Sequence, residues 1–207
     1  AGDWVQFIGH GQAVKTGLRA ACGIGGMIPT QPLPTEPGVD VSHLQGTDVV
    51  ASTLGGVSIV TRPQGEHLQC TRPHAERTEL PPGLVVEAWA FPLSVRTSDL
   101  LDRLAEIRAQ DVGPRREHLE LAMTTLKTAA WSGVEACRRA EPSLFLSAAA
   151  RHVEGLRQLG GALDAALVPA ELAEVPTQGS TVLLPSGAGG GDVILRISDH
   201  PATSAES

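Results

Sequence analysis

Four glycines in five positions give the segment Pro185-Ser186-Gly187-Ala188-Gly189-Gly190-Gly191-Asp192 its chemical character. Glycine adopts positive φ freely and lets backbone N–H groups come close to a ligand. A succession of such N–H groups makes an anion-binding concavity, so the chemistry on offer is phosphate binding. The same composition also suits a flexible surface loop; the Pro-Ser lead-in and the closing Asp weigh toward binding. No two of the seven histidines fall at i, i+4, so there is no helical His-pair zinc signature. Cys22, Cys70 and Cys137 are widely spaced with no CxxC pair. They read as free thiols of a reducing cytosol, not as a disulfide framework.

The elements that must position this segment are legible in outline. Thr181 to Leu184 and Val193 to Ser198 flank it as β-branched, apolar, strand-like stretches, and the glycines between them are too dense for an ordinary hairpin turn. Residues 1 to 45 are the least regular, broken by glycine clusters and by prolines from Pro29 to Pro37, with a short helix expected over Gln12 to Ala21. Residues 46 to 92 read as β, with strands expected at Gly55 to Thr61 and Leu84 to Ala90, a weaker one around His67 to Arg72, and turns at Pro63, Pro73, Pro81 and Pro82.

Residues 97 to about 175 read as helical. Thr97 or Ser98 is expected to cap a helix carrying Leu100, Leu101, Leu104 and Ile107. A second starts near Pro114 with apolar residues at threes and fours from Leu119 to Cys137. Ser143 or Ser147 is expected to cap a third, through Val153, Leu156, Leu159, Leu163 and Leu167, which Gly160-Gly161 kinks or divides. Core packing accounts for all of these apolar stripes.

Composition excludes several function classes. The chain has 207 residues, 42% hydrophobic and 19% charged, as in ordinary globular proteins. A formal charge of −7 argues against nucleic acid, whose phosphates need clustered Lys and Arg. No apolar run approaches the ~20 residues of a membrane span, and no basic-then-apolar leader is present. Aromatic residues are 3% with no tyrosine, so the core must rest on Leu, Val and Ala.

The glycine segment resembles the third sequence motif of the GHMP kinases, the family of galactokinase and of homoserine, mevalonate and phosphomevalonate kinases. The Pro-Ser-Gly-Ala-Gly-Gly-Gly-Asp wording is most similar to the phosphomevalonate kinase branch, with Leu184 where a lysine is common. A second stretch, Gln45-Gly46-Thr47-Asp48-Val49-Val50-Ala51-Ser52-Thr53-Leu54-Gly55-Gly56, resembles the family's catalytic segment, with Thr47 replacing a glycine. A third, weaker similarity covers Trp89 to Ser98, a strand leading to a hydroxyl-rich helix start. The family's main ATP loop is not recognisable: Gly23-Ile24-Gly25-Gly26-Met27-Ile28-Pro29 lacks its serines, and Pro29 stops the helix that the loop should open.

The resemblance implies an α+β, GHMP-kinase-like fold, antiparallel strands packed against a helical layer, truncated at both ends. It implies an irregular remnant of the nucleotide-binding domain over 1–45, a catalytic segment and C-terminal domain over 46–198, and a disordered tail over 199–207. It also implies ATP-dependent phosphoryl transfer, with Mg²⁺, to a small phosphorylated isoprenoid precursor in the cytoplasm. Asp48 is the implied catalytic base or orienting group; taken alone it reads as a helix N-cap. Ser186, Gly187, Ala188, Gly189, Gly190 and Gly191 are implied on the phosphate side of ATP, and Ser94, Arg96, Thr97 and Asp192 on the substrate side. Helix capping explains Thr97 equally well, and Arg96 is equally well a solvated surface residue. The expected partner is a small molecule, without nucleic acid or membrane, and a homodimer is allowed. The alternative is a catalytically impaired relic that only binds a ligand or partner.

Overall fold

Residues 4–8, 57–62, 74–90, 97–109, 112–175, 180–186 and 193–201 are described in the computed structural model of this chain. The chain divides into two units, Ala1–Glu79 and Leu80–Ser207. The helix expected over Gln12 to Ala21, the Gly23 to Pro29 segment and the weak strand around His67 to Arg72 lie outside the described residues.

In the first unit, β2 (Val57–Arg62) lies between β1 (Trp4–Ile8) and β3 (His74–Thr78) in an antiparallel sheet. Val57 and Ile59, two apart and so on one face, are both buried. β2 matches the strand expected from Gly55 to Thr61. β1 corrects the reading of residues 1 to 45: Trp4 pairs with Arg62 and Ile8 with Ser58. An alternation only five residues long gives little periodic signal, and its backbone groups are satisfied only by a partner some fifty residues away. β3, sequence HAERT, is equally unlike a strand, yet Thr78 pairs opposite Val57 and His74 opposite Thr61. Pairing context overrides propensity there.

The second unit opens with a turn in which the Leu84 N–H donates to the Pro81 carbonyl at 3.4 Å. Gly83 holds φ +84 in it, the left-handed position that such a Pro-led turn demands. β4 (Val85–Ala90) follows, and the antiparallel sheet is completed by β5 (Thr181–Pro185) and β6 (Val193–Ser198) in the order β4-β6-β5. Between β4 and β5 come α1 (Thr97–Ala109), α2 (Pro114–Arg139), α3 (Pro142–Leu163) and a 3₁₀ turn, Ala170–Ala173. α3 packs on β5, which joins the helical layer to the sheet.

α2 begins at Pro114 as expected, since proline at the first helical position forfeits an N–H that has no partner anyway. Its end is closed by Ala140 in the left-handed region, φ 54 and ψ 41, whose N–H reaches the Ala136 and Cys137 carbonyls. The Glu141 N–H also donates to the Ala136 carbonyl, at 3.0 Å. α3 starts at once on Pro142, with Glu141 as the N-cap residue. Ser143 and Ser147 therefore lie inside the helix and do not cap it, which corrects the expectation. So short a link makes α2 and α3 antiparallel neighbours.

Small residues let these two helices approach closely. Ala129, Ala130, Gly133 and Ala136 on α2 and Ala148, Ala149 and Gly155 on α3 are buried. A Cβ on Gly155 would lie 2.8 Å from Leu126 Cγ and Cδ2. Across the same seam the Thr125 hydroxyl donates to Gln158 Oε1 at 2.9 Å. Gly160-Gly161 does not divide α3, which runs on to Leu163. These glycines instead serve its C-terminus: the Asp164 N–H, at φ 51, reaches their two carbonyls, and a Cβ on Gly160 would sit 2.5 Å from the Ala165 oxygen.

The main core gathers Leu100 and Ile107 of α1, Leu119 of α2, Ala162 and Leu163 of α3, and Leu167. Leu101, expected in the apolar stripe of α1, is 52% exposed and belongs to the surface. Two arginines fasten the corners of the layer by capping helix C-termini, where carbonyls lack helical partners. Arg103 Nη1 donates to the Leu163 carbonyl at 2.9 Å and the Asp164 carbonyl at 2.5 Å. Arg116 Nη1 donates to the Arg108 carbonyl at the end of α1, at 2.8 Å.

Candidate functional site

The glycine-rich segment is mounted on the central strand of the second sheet. β5 and β6 pair as direct antiparallel neighbours, with Thr181 opposite Ser198 and Pro185 opposite Ile194. The Ser186 N–H donates to the Val193 carbonyl at 2.9 Å and adds a bond beyond the strand ends. The connection is thus a β-hairpin in topology, but one far longer than the two-residue turns that dominate hairpins. β6 is hydrogen-bonded on both edges, and every residue from Ile194 to Ser198 is buried. A loop held at both ends on such a strand has a rigid base, the usual setting for binding loops.

Among the expected site residues, the described ones are Ser186, half-buried at the base of the hairpin, and Thr97, the first residue of α1. Asp48, Ser94, Arg96, Gly187, Ala188, Gly189, Gly190, Gly191 and Asp192 lie outside the described residues. Among the described residues no group of three or more His, Cys, Asp or Glu is placed to hold a metal. No described helix is long and apolar enough to cross a membrane.

On β6, toward the end of the hairpin away from the glycine-rich segment, the structure shows a buried polar cluster that the sequence did not reveal. Arg196, on β6, is fully buried, and its Nη1 lies 2.8 Å from Glu87 Oε2 on β4. The two residues are exact cross-strand partners in register, where opposite charges stabilise a sheet. Arg196 Nη1 also donates to Ser198 Oγ at 2.6 Å and to the His200 carbonyl at 2.9 Å. His200 Nδ1 lies 2.7 Å from Asp199 Oδ1. That hydrogen bond is the main cause holding the Asp199 carboxyl below the usual carboxylate range. A buried guanidinium is tolerated where its charge is paired and its terminal N–H groups are bonded this way. The available signal was Arg196 itself, a charge in the middle of the apolar strand Val193-Ile194-Leu195-Arg196-Ile197.

Two further titratable groups are governed by burial. The Cys137 thiol is pushed up to about 11, so it stays protonated near neutrality and is a poor nucleophile. His152 on α3 is held below the usual histidine value by desolvation, so it packs as a neutral ring. Neither behaves as a site residue.

No protein-family model matches this sequence, and no curated protein does. Similar folds are found among solved structures. A Lin0012 protein from Listeria innocua superposes with a TM-score of 0.60 at 17% identity, over 74% of this chain and 47% of that one. The Streptococcus pneumoniae phosphomevalonate kinase, solved with phosphomevalonate and AMPPNP, superposes with a TM-score of 0.52 at 16% identity, over 75% of this chain and 48% of that one. The chain spans about half the length of these structures. The likeness is one of fold, and the fold is α+β and GHMP-kinase-like, with antiparallel strands packed against helices.

Proposed function

We propose that this chain carries part of the site of an ATP-dependent small-molecule kinase whose acceptor is a phosphorylated isoprenoid precursor such as phosphomevalonate. The observation that carries this reading is the glycine-rich segment between two strands in register, closed at its base by Ser186 and Val193, within a GHMP-kinase-like fold. In this reading the backbone N–H groups from Gly187 to Gly191, with the Ser186 hydroxyl beside them, face phosphate oxygens of ATP. Asp48 accepts or orients the proton of the acceptor hydroxyl. Ser94, Arg96, Thr97 and Asp192 position the phosphate-bearing substrate. ATP with Mg²⁺ supplies the phosphoryl group and neutralises its charge, which is most of what such a transfer requires.

The test is ADP release from ATP and Mg²⁺ with phosphomevalonate, mevalonate or homoserine as acceptor. Turnover with phosphomevalonate, lost on the order of a hundredfold or more in Asp48→Asn with an unchanged circular dichroism spectrum, supports the assignment. A chain that neither binds ATP at ~1 mM nor turns over any acceptor is the impaired ligand- or partner-binding relative, and the kinase reading falls.

A further inference from the structure

α2 has two sides of different character. Its buried residues, among them Leu119, Ala122, Ala129, Gly133 and Ala136, share the side that packs on α3 and α1. On the opposite side Leu121, Thr124, Thr128 and Trp131 recur at steps of three, four and three, the spacing of a coiled-coil seam. All four are exposed, Leu121 by 58% and Trp131 by 39%. The two threonines are less polar here than their type suggests. Thr124 Oγ1 donates to the Glu120 carbonyl and Thr128 Oγ1 to the Thr124 carbonyl, each at 2.8 Å. Both hydroxyls are thus spent within the helix, and the methyl groups are what a partner would meet. The stripe is therefore apolar over about 15 Å of helix length. Its two ends differ in charge: Glu117 and Glu120 precede it, and Arg138 and Arg139 follow it.

We infer that this side of α2 pairs with the same side of a second copy of the chain, in an antiparallel, two-fold symmetric dimer. A two-fold axis makes every contact occur twice, so the surface must complement itself when reversed, and this one does. With the axis passing between Thr124 and Thr128, Leu121 of each copy meets Trp131 of the other, and Thr124 meets Thr128. The short threonines let the two backbones approach. Each acidic start then lies beside the other copy's basic end, and the helix dipoles run in opposite directions. A parallel pair would set like charges together at both ends. Arg139 already holds Glu135 of its own helix at 2.6 Å, but its guanidinium has donors enough to take Glu117 of the other copy as well. Two apolar anchors on each side make an interface at the small end of the range, so the association is weak and depends on concentration.

Sedimentation equilibrium of the full chain between about 5 and about 500 µM tests this, with a reversible monomer–dimer equilibrium expected. Leu121→Lys and Thr128→Lys alter exposed positions of a helix, so circular dichroism and the urea midpoint should stay close to the parent's. Each should weaken association by about tenfold or more, since the change enters the interface twice. Glu117→Lys and Arg139→Glu should each weaken it too. Mixing these last two variants should restore it, because both ends again join opposite charges. A chain that stays monomeric throughout overturns the inference, as does a dimer indifferent to Leu121→Lys and Thr128→Lys. Charge reversals without effect, the result of a parallel pair, or a mixture that stays apart overturn it equally.

Discussion

Replacing glycine by alanine at three nearby positions of α3 should give three different results, because only the surroundings differ. In a helix interior alanine is favoured over glycine by about 1 kcal/mol. At Gly161 nothing lies within 4 Å of the added Cβ, so Gly161→Ala should stabilise by roughly that amount. At Gly155 the Cβ would meet Leu126 Cγ and Cδ2 at 2.8 Å and the Leu126 backbone nitrogen at 3.2 Å, inside ordinary van der Waals contact. Relief requires Leu126 to leave its rotamer or the α2–α3 seam to open. Overpacking of that kind costs about 1–3 kcal/mol, so after the helix gain Gly155→Ala should lose roughly 0–2 kcal/mol. At Gly160 the obstacle is the Ala165 carbonyl oxygen, 2.5 Å away, in a turn whose own N–H bonds back to the Gly160 carbonyl at 2.9 Å. Backbone retreat there also sacrifices a hydrogen bond worth about 1 kcal/mol, so Gly160→Ala should lose roughly 1–3 kcal/mol. Urea unfolding followed at 222 nm reads these changes, since all described helices lie in the second unit. With a slope of about 2 kcal/mol/M, 1 kcal/mol moves the midpoint by about 0.5 M. Stability should rank Gly161→Ala above the parent, then Gly155→Ala, then Gly160→Ala. If Gly155→Ala raises the midpoint as far as Gly161→Ala does, the close approach of α2 and α3 is refuted.

Arg196→Met should destabilise by about 3 kcal/mol or more, because it breaks a buried ion pair and strands the groups around it. Glu87→Gln should cost less, since glutamine keeps an acceptor and the Glu87 side chain is 30% exposed; equal losses in urea melts would contradict the cluster. Ala140→Gly should stabilise by up to about 1 kcal/mol by relieving the left-handed φ of 54, and a lower melting temperature would argue against that C-cap. His152, held neutral by burial, binds a proton more readily unfolded than folded, so it makes stability fall as pH drops below the ordinary histidine value. His152→Leu should flatten the slope of unfolding free energy against pH between about 7 and 5, and an unchanged slope would remove this account. Iodoacetamide should label Cys137 slowly at neutral pH and much faster only in denaturant, whereas rapid native labelling would mean an ionised thiol.

The sequence alone determined the elements whose signal is local. The stripes from Leu100 to Ile107 and from Leu119 to Val134 placed α1 and α2, and Pro114 marked where α2 starts, since periodicity and proline geometry act within a few residues. β-branched runs placed β2, β4, β5 and β6, and the glycines between β5 and β6 stood out by composition. Tertiary structure decided whatever depends on partners distant in the chain. β1 and β3 exist because β2 offers them hydrogen bonds, and no residue of HAERT signals that alone. Gly155 and Gly160 look alike in sequence, yet one admits a neighbouring helix and the other a returning backbone carbonyl. Arg196 and Glu87 are 109 positions apart, and only the β4–β6 register sets them opposite each other in a setting where a charge must be matched.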